Sequence, residues 1–149
     1  MPKATMRFET TVSAPPAEVF SYVSDLTKHG EWSGNPLEIV PLDDNATEAI
    51  KVGRRYKSTA TVKNLMFDAE LGVTEYAPNE RFAFSGSDAT GEFTHTFTFK
   101  PTSAGTHIER LARFDLSLYL WVRFWVLYLP IRKPAGQKAM ARLSEKWAK

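Results

Sequence analysis

The sequence predicts an α+β fold in one domain, residues 1–149, with an antiparallel sheet of six to seven strands, two short helices after the first strand and a long C-terminal helix. Two observations predict it. Apolar and polar residues alternate through most of the chain, which is the period of a strand. Apolar residues instead recur at helical spacing directly after the first strand and again near the end. The length is that of one ordinary domain.

The first third of the chain predicts a strand, two helical turns and a second strand. Alternation over residues 6–12 indicates the first strand. Pro15 and Pro16 then begin a helix, because proline loses no hydrogen bond in a first helical turn. A second helical turn is expected around Asp25 to Gly30, followed by a loop-like stretch with one short strand at Leu37 to Leu42.

The middle of the chain predicts a continuous meander of strands with one hydrophobic face. If Lys100 lies opposite His107, the apolar residues of the two strands in the last hairpin lie opposite each other on the same face of the sheet. The other pairs in this register are Phe99–Ile108, Phe97–Arg110, His95–Ala112 and Phe93–Phe114. The earlier hairpins are predicted to pair as Val62–Phe67, Ala60–Ala69, Val73–Phe82 and Leu71–Phe84.

The C-terminal third predicts a long helix, kinked or broken near Pro130. Its second part carries Met140, Leu143 and Trp147 on one stripe. Its first part, Leu118 to Leu129, is apolar on every side and too short to span a bilayer, which takes roughly twenty residues. We expect this part to be partly exposed, as a pocket lid, a homodimer contact or a peripheral membrane contact through residues 118–133; full burial is the alternative.

Composition and charge exclude several classes of protein. There is no cysteine, so disulfides, thiolate metal sites and cysteine nucleophiles are excluded. The net charge of +2 argues neither for nor against nucleic acid, and we expect no nucleic-acid partner. Residues 118–149 hold seven cations and one anion, on an otherwise mildly acidic chain. No targeting segment is visible, so we expect the protein in the cytoplasm.

Several segments resemble the SRPBCC (START-like) superfamily, in particular its polyketide cyclase/dehydrase and lipid-transport branch. The segments that carry the resemblance are residues 12–25, Trp32, residues 52–56, residues 73–82, and residues 97–101 with Gly105-Thr106. The resemblance implies the helix-grip fold, in which a curved sheet wraps the C-terminal helix and often encloses a ligand cavity. These motifs mark the fold and name no ligand.

The inward face of the predicted sheet has the composition of a ligand pocket, mostly apolar with a few polar groups. The predicted ligand-binding residues are Tyr56, Ser58, Phe67, Leu71, Phe82, Phe84, Phe93, His95, Phe97, Arg110 and Phe114; Phe8, Phe99 and Ile108 share the face. The alternative for each Phe is simple core packing. His95 and Arg110 are diagonal neighbours in the predicted register. A buried Arg110 requires an anion or several acceptors. The partner is either a ligand carboxylate, enolate or phosphate, or a structural group such as Glu70, Glu75 or a backbone carbonyl.

Three functions remain open. The first is a module that binds or carries a hydrophobic small molecule such as a lipid, quinone or polyketide-like aromatic. The second is a cyclase or dehydratase with His95 as acid/base and Arg110 as the group that polarises a carbonyl. The third is a protein- or membrane-interaction domain. No cofactor is expected, and no metal, because the three histidines lack ligand spacing. His29 is predicted to be solvated in a surface turn, and His107 to face outward.

Overall fold

Seven strands form one antiparallel sheet. Two short helices follow the first strand, and two more helices follow the last strand. The computed structural model describes residues 3–42, 50–62, 64–88, 91–115, 117–123, 126 and 129–148. The strands are β1 Lys3–Val12, β2 Leu37–Pro41, β3 Arg55–Val62, β4 Leu65–Ala77, β5 Arg81–Asp88, β6 Gly91–Thr102 and β7 Gly105–Asp115. The helices are α1 Pro16–Val23, a 3-10 helix Leu26–Glu31, α2 Leu118–Arg123 and α3 Leu129–Glu145. The predicted α+β, helix-grip architecture is confirmed.

Strands β2 to β7 form a meander, and β1 is the edge strand beside β7. The order is β1-β7-β6-β5-β4-β3-β2, so β1 pairs with the last strand and β2 forms the other edge. α3 packs against β1. The apolar face of the strands, α1 and the inner side of α3 together bury one continuous hydrophobic core. This arrangement follows from the period-two alternation, which places all apolar residues of a strand on the same face.

The predicted register of the last hairpin is confirmed for every pair, from Lys100–His107 to Phe93–Phe114. The predicted register of the β3–β4 hairpin is wrong by two residues. Val62 pairs with Leu65, and Ala60 with Phe67. The turn is therefore two residues long, and Asn64 adopts a φ of 68°, a left-handed conformation typical of tight hairpins. A shift of two residues keeps the same side chains on the inner face.

The predicted register of the β4–β5 hairpin is also wrong. Val73 pairs with Phe84 instead of Phe82, and Leu71 pairs with Gly86. A β-bulge between Val73 and Glu75 changes the register inside this hairpin. A bulge inserts one unpaired residue and bends the strand. The bulge shifts the alternation by one residue, so the inner face continues at Tyr76, which packs against Phe82 and Phe20, and not at Glu75.

The helices begin and end where the local sequence favours it. Pro16 is the first residue of α1, whose buried side chains are Val19, Phe20 and Val23. The Asp25 carboxylate caps the 3-10 helix by accepting a hydrogen bond from the Thr27 amide at 3.1 Å. α2 spans Leu118–Arg123 and α3 spans Leu129–Glu145, with Pro130 in its first turn; the predicted break near Pro130 falls largely on residues outside the described ones.

The described side chains in the first part of the C-terminal segment are exposed, as expected for a partly exposed apolar helix. Leu118, Tyr119, Val122 and Val126 are each more than half exposed. On α3, Met140 and Leu143 are buried, in agreement with the predicted stripe. Within the described part of the chain, no helix is both long and apolar enough to cross a membrane.

Candidate ligand-binding cavity

A cavity of about 330 Å³ lies between the inner face of the sheet and α3. Its floor is formed by residues of all seven strands, and its rim by residues 33–35 and the α3 residues Ala135, Gly136 and Ala139. The volume is near the lower end of the range for small-molecule sites. At the other end of the sheet α1 packs on the inner face, where Phe20 contacts Tyr76 and Phe99.

The walls are apolar, and the polar groups are few. The apolar side chains that line the cavity are Met6, Phe8, Leu37, Ile39, Ala60, Leu65, Phe67, Ala69, Leu71, Phe84, Phe93, Ala112 and Phe114. The polar or ionisable ones are His29, Ser33, Asn35, Ser58, Asp88, His95 and Arg110. This composition is typical of a site that takes an apolar ligand with one polar group.

Eight of the eleven residues predicted to bind a ligand line the cavity: Ser58, Phe67, Leu71, Phe84, Phe93, His95, Arg110 and Phe114. The other three, Tyr56, Phe82 and Phe97, are fully buried in the core. They lie toward the end of the sheet that α1 covers. Phe82, for example, packs edge-on against Tyr76 at 6.4 Å, and Tyr76 packs against Phe20 of α1 at 5.3 Å. A strand face therefore serves as core at one end and as cavity wall at the other.

Arg110 and His95 contact each other inside the cavity, as the register predicted. Arg110 Nη2 lies 3.2 Å from Nδ1 of His95, and Arg110 Nε lies 3.4 Å from the same atom. A guanidinium can only donate hydrogen bonds, so Nδ1 must accept. His95 is therefore neutral in this arrangement, with its proton on Nε2. The guanidinium carbon also lies 5.8 Å from the Trp32 ring and 5.5 Å from the Phe97 ring.

The carboxylates considered as structural partners of Arg110 point elsewhere. Glu70 forms an ion pair with Arg55. Glu75 forms one with Arg81 at 2.8 Å. Both pairs are largely exposed. Burial lowers the pKa of Arg110 to about 10. The guanidinium therefore remains charged at neutral pH although burial has removed much of its contact with water.

The prediction for His29 is wrong: it is buried and lines the cavity. Its Nε2 lies 2.7 Å from the Val23 carbonyl oxygen, so Nε2 carries the proton. Its ring lies 4.6 Å from that of Trp32 and 5.8 Å from that of Phe84. Burial, assisted by the charge of Arg110, lowers the pKa of His29 to about 4, although the hydrogen bond to Val23 and the charge of Asp25 act to raise it.

A signal for the burial of His29 is present in the sequence. His29 follows Leu26 by three residues in a helical turn, so the two side chains share a face. Leu26 is fully buried. His107, by contrast, faces outward as predicted, within 3.1 Å of the Thr11 hydroxyl and 3.6 Å of Glu9.

The rim of the cavity is held by close packing and by one arginine. A side chain at Gly136 would collide with the ring of Phe8, and one at Gly34 would collide with the backbone of Ala135. Both glycines therefore allow α3 to approach the sheet and the rim loop. Arg142 of α3 donates to the carbonyl oxygens of Ser33 at 2.6 Å and Glu31 at 3.1 Å. The rim loop is thus fastened to α3.

The described residues offer no metal site, since no group of three or more His, Asp or Glu side chains among them is placed to hold a metal ion. The donors present are one guanidinium, two neutral imidazoles and a few hydroxyl or amide groups. Such a set can bind and orient an organic ligand by hydrogen bonds and charge.

Comparison with known proteins agrees with this geometry. A family model described as "Polyketide cyclase / dehydrase and lipid transport" matches residues 3–146. The crystal structure of protein CV1439 from Chromobacterium violaceum is similar, with a TM-score of 0.72, 18% identity and 96% of each chain covered. That of TTHA0849 from Thermus thermophilus has a TM-score of 0.77, 16% identity and 96% of each chain covered.

The structure of Ara h 8.0201 is a third similar fold, with a TM-score of 0.63, 12% identity, and 95% of this chain and 98% of that chain covered. At these identities the likeness concerns the fold. No curated protein matches the chain.

Proposed function

Because the chain belongs to the polyketide cyclase/dehydrase and lipid transport family, a membership that supports a ligand-binding role, we propose that residues 1–149 form one domain that binds or carries a hydrophobic small molecule. The observation that carries the proposal is the cavity of about 330 Å³ beneath α3, with its apolar walls and few polar groups. Apolar surface transferred from water to such walls supplies roughly 25 cal/mol per Å². The ligand needs no cofactor and no chemical step to be held there.

The size of the cavity supports a ligand with one chain or one ring system. Sites for drug-sized molecules begin at roughly 300 Å³. A fatty chain, a quinone ring or a polyketide-like aromatic fits this scale better than a lipid with two acyl chains. The aromatic walls favour a ring and a flexible chain equally; they are formed by Phe67, Phe84, Phe93 and Phe114.

The cyclase or dehydratase hypothesis has weaker support. It assigns His95 the role of acid and base, and a base needs a free lone pair. The lone pair of His95 on Nδ1 faces the guanidinium of Arg110. With its proton on Nε2 and its lone pair directed at Arg110, His95 has no free lone pair to accept a proton, so binding is the better-supported role.

The test is a cavity-filling substitution on α3 with a matched control on the same helix. Ala135→Leu places three carbons at the rim of the cavity, whereas Ala141→Leu adds the same atoms to an exposed position. Small molecules extracted from the purified proteins are identified by mass spectrometry. The neutral fluorescent probe 1-aminoanthracene is titrated into each protein after delipidation.

We expect wild type and Ala141→Leu to bind 1-aminoanthracene alike, and Ala135→Leu to bind it at least tenfold more weakly. We also expect any co-purified apolar molecule to be absent from Ala135→Leu. Equal binding of the probe by all three proteins would place it outside the cavity and refute the proposal.

Two further expectations from the sequence stay predictions. A peripheral membrane contact or homodimer through residues 118–133 rests on the exposed apolar side chains Leu118, Tyr119, Val122 and Val126. The cytoplasmic location rests on the sequence alone.

A further inference from the structure

The polar end of the cavity carries a positive charge that no carboxylate neutralises among the residues the structure describes. Arg110 uses Nε and Nη2, and both face a single acceptor, Nδ1 of His95. A guanidinium has five N–H groups. The remaining donors of Arg110 have no protein acceptor in the described part of the chain. The rings of Trp32 and Phe97 offer it only a weak cation–π attraction.

The side chains that contact Arg110 among the described residues are neutral. His95 accepts from Arg110 and is therefore unprotonated on Nδ1. His29 donates its one proton to the Val23 carbonyl and is neutral as well. Asp88 also lines the cavity, but it lies four residues beyond Phe84 on β5, and Phe84 is the partner of His95. At the rise of a strand that separation is ~13 Å.

A second buried donor in the same cluster adds to the excess of donors. Nε1 of Trp32 is buried without an acceptor among the described residues, and the guanidinium carbon of Arg110 lies 5.8 Å from the Trp32 ring. Buried donors without acceptors are unusual in folded proteins. Trp32 itself is not among the residues that line the cavity, so the charged donors at this end of the cavity are those of Arg110.

We propose that the cavity selects amphipathic organic monoanions, with a carboxylate or enolate at Arg110 and the apolar body against the Phe-rich walls. This inference rests on the proposed ligand-binding function and names the chemical class of the ligand. A guanidinium binds a carboxylate through two parallel N–H groups, which is among the stronger hydrogen-bonded pairs in proteins. The anion supplies the acceptors that the described residues lack.

The charge balance also sets the number of negative charges on the ligand. Arg110 brings one positive charge, and the two neighbouring histidines bring none. A singly charged carboxylate is therefore matched, whereas a doubly charged phosphate monoester would leave one buried negative charge uncompensated.

The experiment compares acids with alcohols of the same shape. The probes are decanoate with 1-decanol, and 2-naphthoate with 2-naphthalenemethanol, titrated calorimetrically at pH 7.5. We expect each acid to bind at least roughly tenfold more tightly than its alcohol, the ratio typical of a charge-assisted hydrogen bond. Decyl phosphate is expected to bind more weakly than decanoate.

Arg110→Met removes the charge and keeps the length of the side chain. We expect it to lose the preference for the acids and to bind the alcohols as well as wild type does. Arg110→Lys keeps the charge but not the paired donors, so part of the preference should remain. The matched control is Arg113→Met, which removes an exposed arginine from the opposite face of the same strand and should bind all probes as wild type does.

Each outcome decides between the inference and the proposed function. Equal affinity of acid and alcohol for wild type, or an unchanged preference in Arg110→Met, overturns the inference and leaves hydrophobic binding intact. Failure of all four acid and alcohol probes to bind overturns the proposed function itself. If Arg110→Met does not fold, the wild-type ratios together with Arg110→Lys still decide the question.

Discussion

His29 makes the stability of the fold depend on pH in a range where few other side chains titrate. Burial, with the charge of Arg110, lowers the pKa of His29 from 6.5 to about 4. The unfolded chain therefore binds a proton between these values that the folded chain does not bind. Stability contributed by the neutral imidazole is fully present above pH 6.5 and is lost as the pH falls toward 4. A shift of this size implies a loss of about 2 kcal/mol by pH 5 and about 3 kcal/mol by pH 4.

The assay is urea unfolding of wild type and His29→Gln at pH 7 and pH 5. Glutamine can still donate to the Val23 carbonyl but carries no titrating group. We expect wild type to lose about 2 kcal/mol more than the variant between the two pH values, or roughly 4–8 °C in melting temperature. His107→Gln, at the exposed histidine, should behave as wild type. The reasoning is refuted if His29→Gln loses as much stability as wild type, because the proton would then be taken up elsewhere.

Four further substitutions test the packing of the core, the cavity wall and the rim. Phe82→Ala, in the part of the sheet face that α1 covers, should lower the free energy of unfolding by ~3–5 kcal/mol. Phe93→Ala, at the cavity wall, should lower it clearly less, because no sealed void forms. Equal losses of stability would indicate a solid core. Gly136→Ala should cost ~1–3 kcal/mol by thermal or urea unfolding, since its methyl group meets the ring beneath it. Arg142→Ala should speed amide hydrogen exchange in residues 33–35 while global stability changes little; unchanged exchange there would show that the arginine does not hold the rim.

Much of the fold could be predicted because the alternation of the strands is nearly unbroken. One assumed pair, Lys100–His107, fixes the whole last hairpin, and it also brings Arg110 and His95 together. That contact is the centre of the candidate site. This contact could be predicted from the sequence because both residues lie on regular strands and no bulge interrupts the register between them.

The rest required three-dimensional information. The two-residue turn at Asn64 shifts the β3–β4 pairs by two, a change that preserves the hydrophobic face and so leaves no trace in the pattern. The bulge after Val73 changes the β4–β5 register by one further residue. The placement of Tyr56 and Phe82 in the core depends on how far the first helices cover the sheet. The burial of His29 was not predicted because a polar residue in a short turn is usually exposed. Here the rings of Trp32 and Phe84 pack against it.

The strand order has a consequence for how the molecule is made. β1 pairs only with β7, so Thr11 meets His107 across 96 residues of chain, whereas the other neighbouring strands follow one another directly. During synthesis β1 emerges long before its partner exists, and contacts of such long range form slowly. α3 rests on β1 through Gly136 and Phe8, so the roof of the cavity is set only after the chain has closed on itself. A ligand that binds in the cavity therefore stabilises the state in which the first strand, the last strand and α3 are all in place.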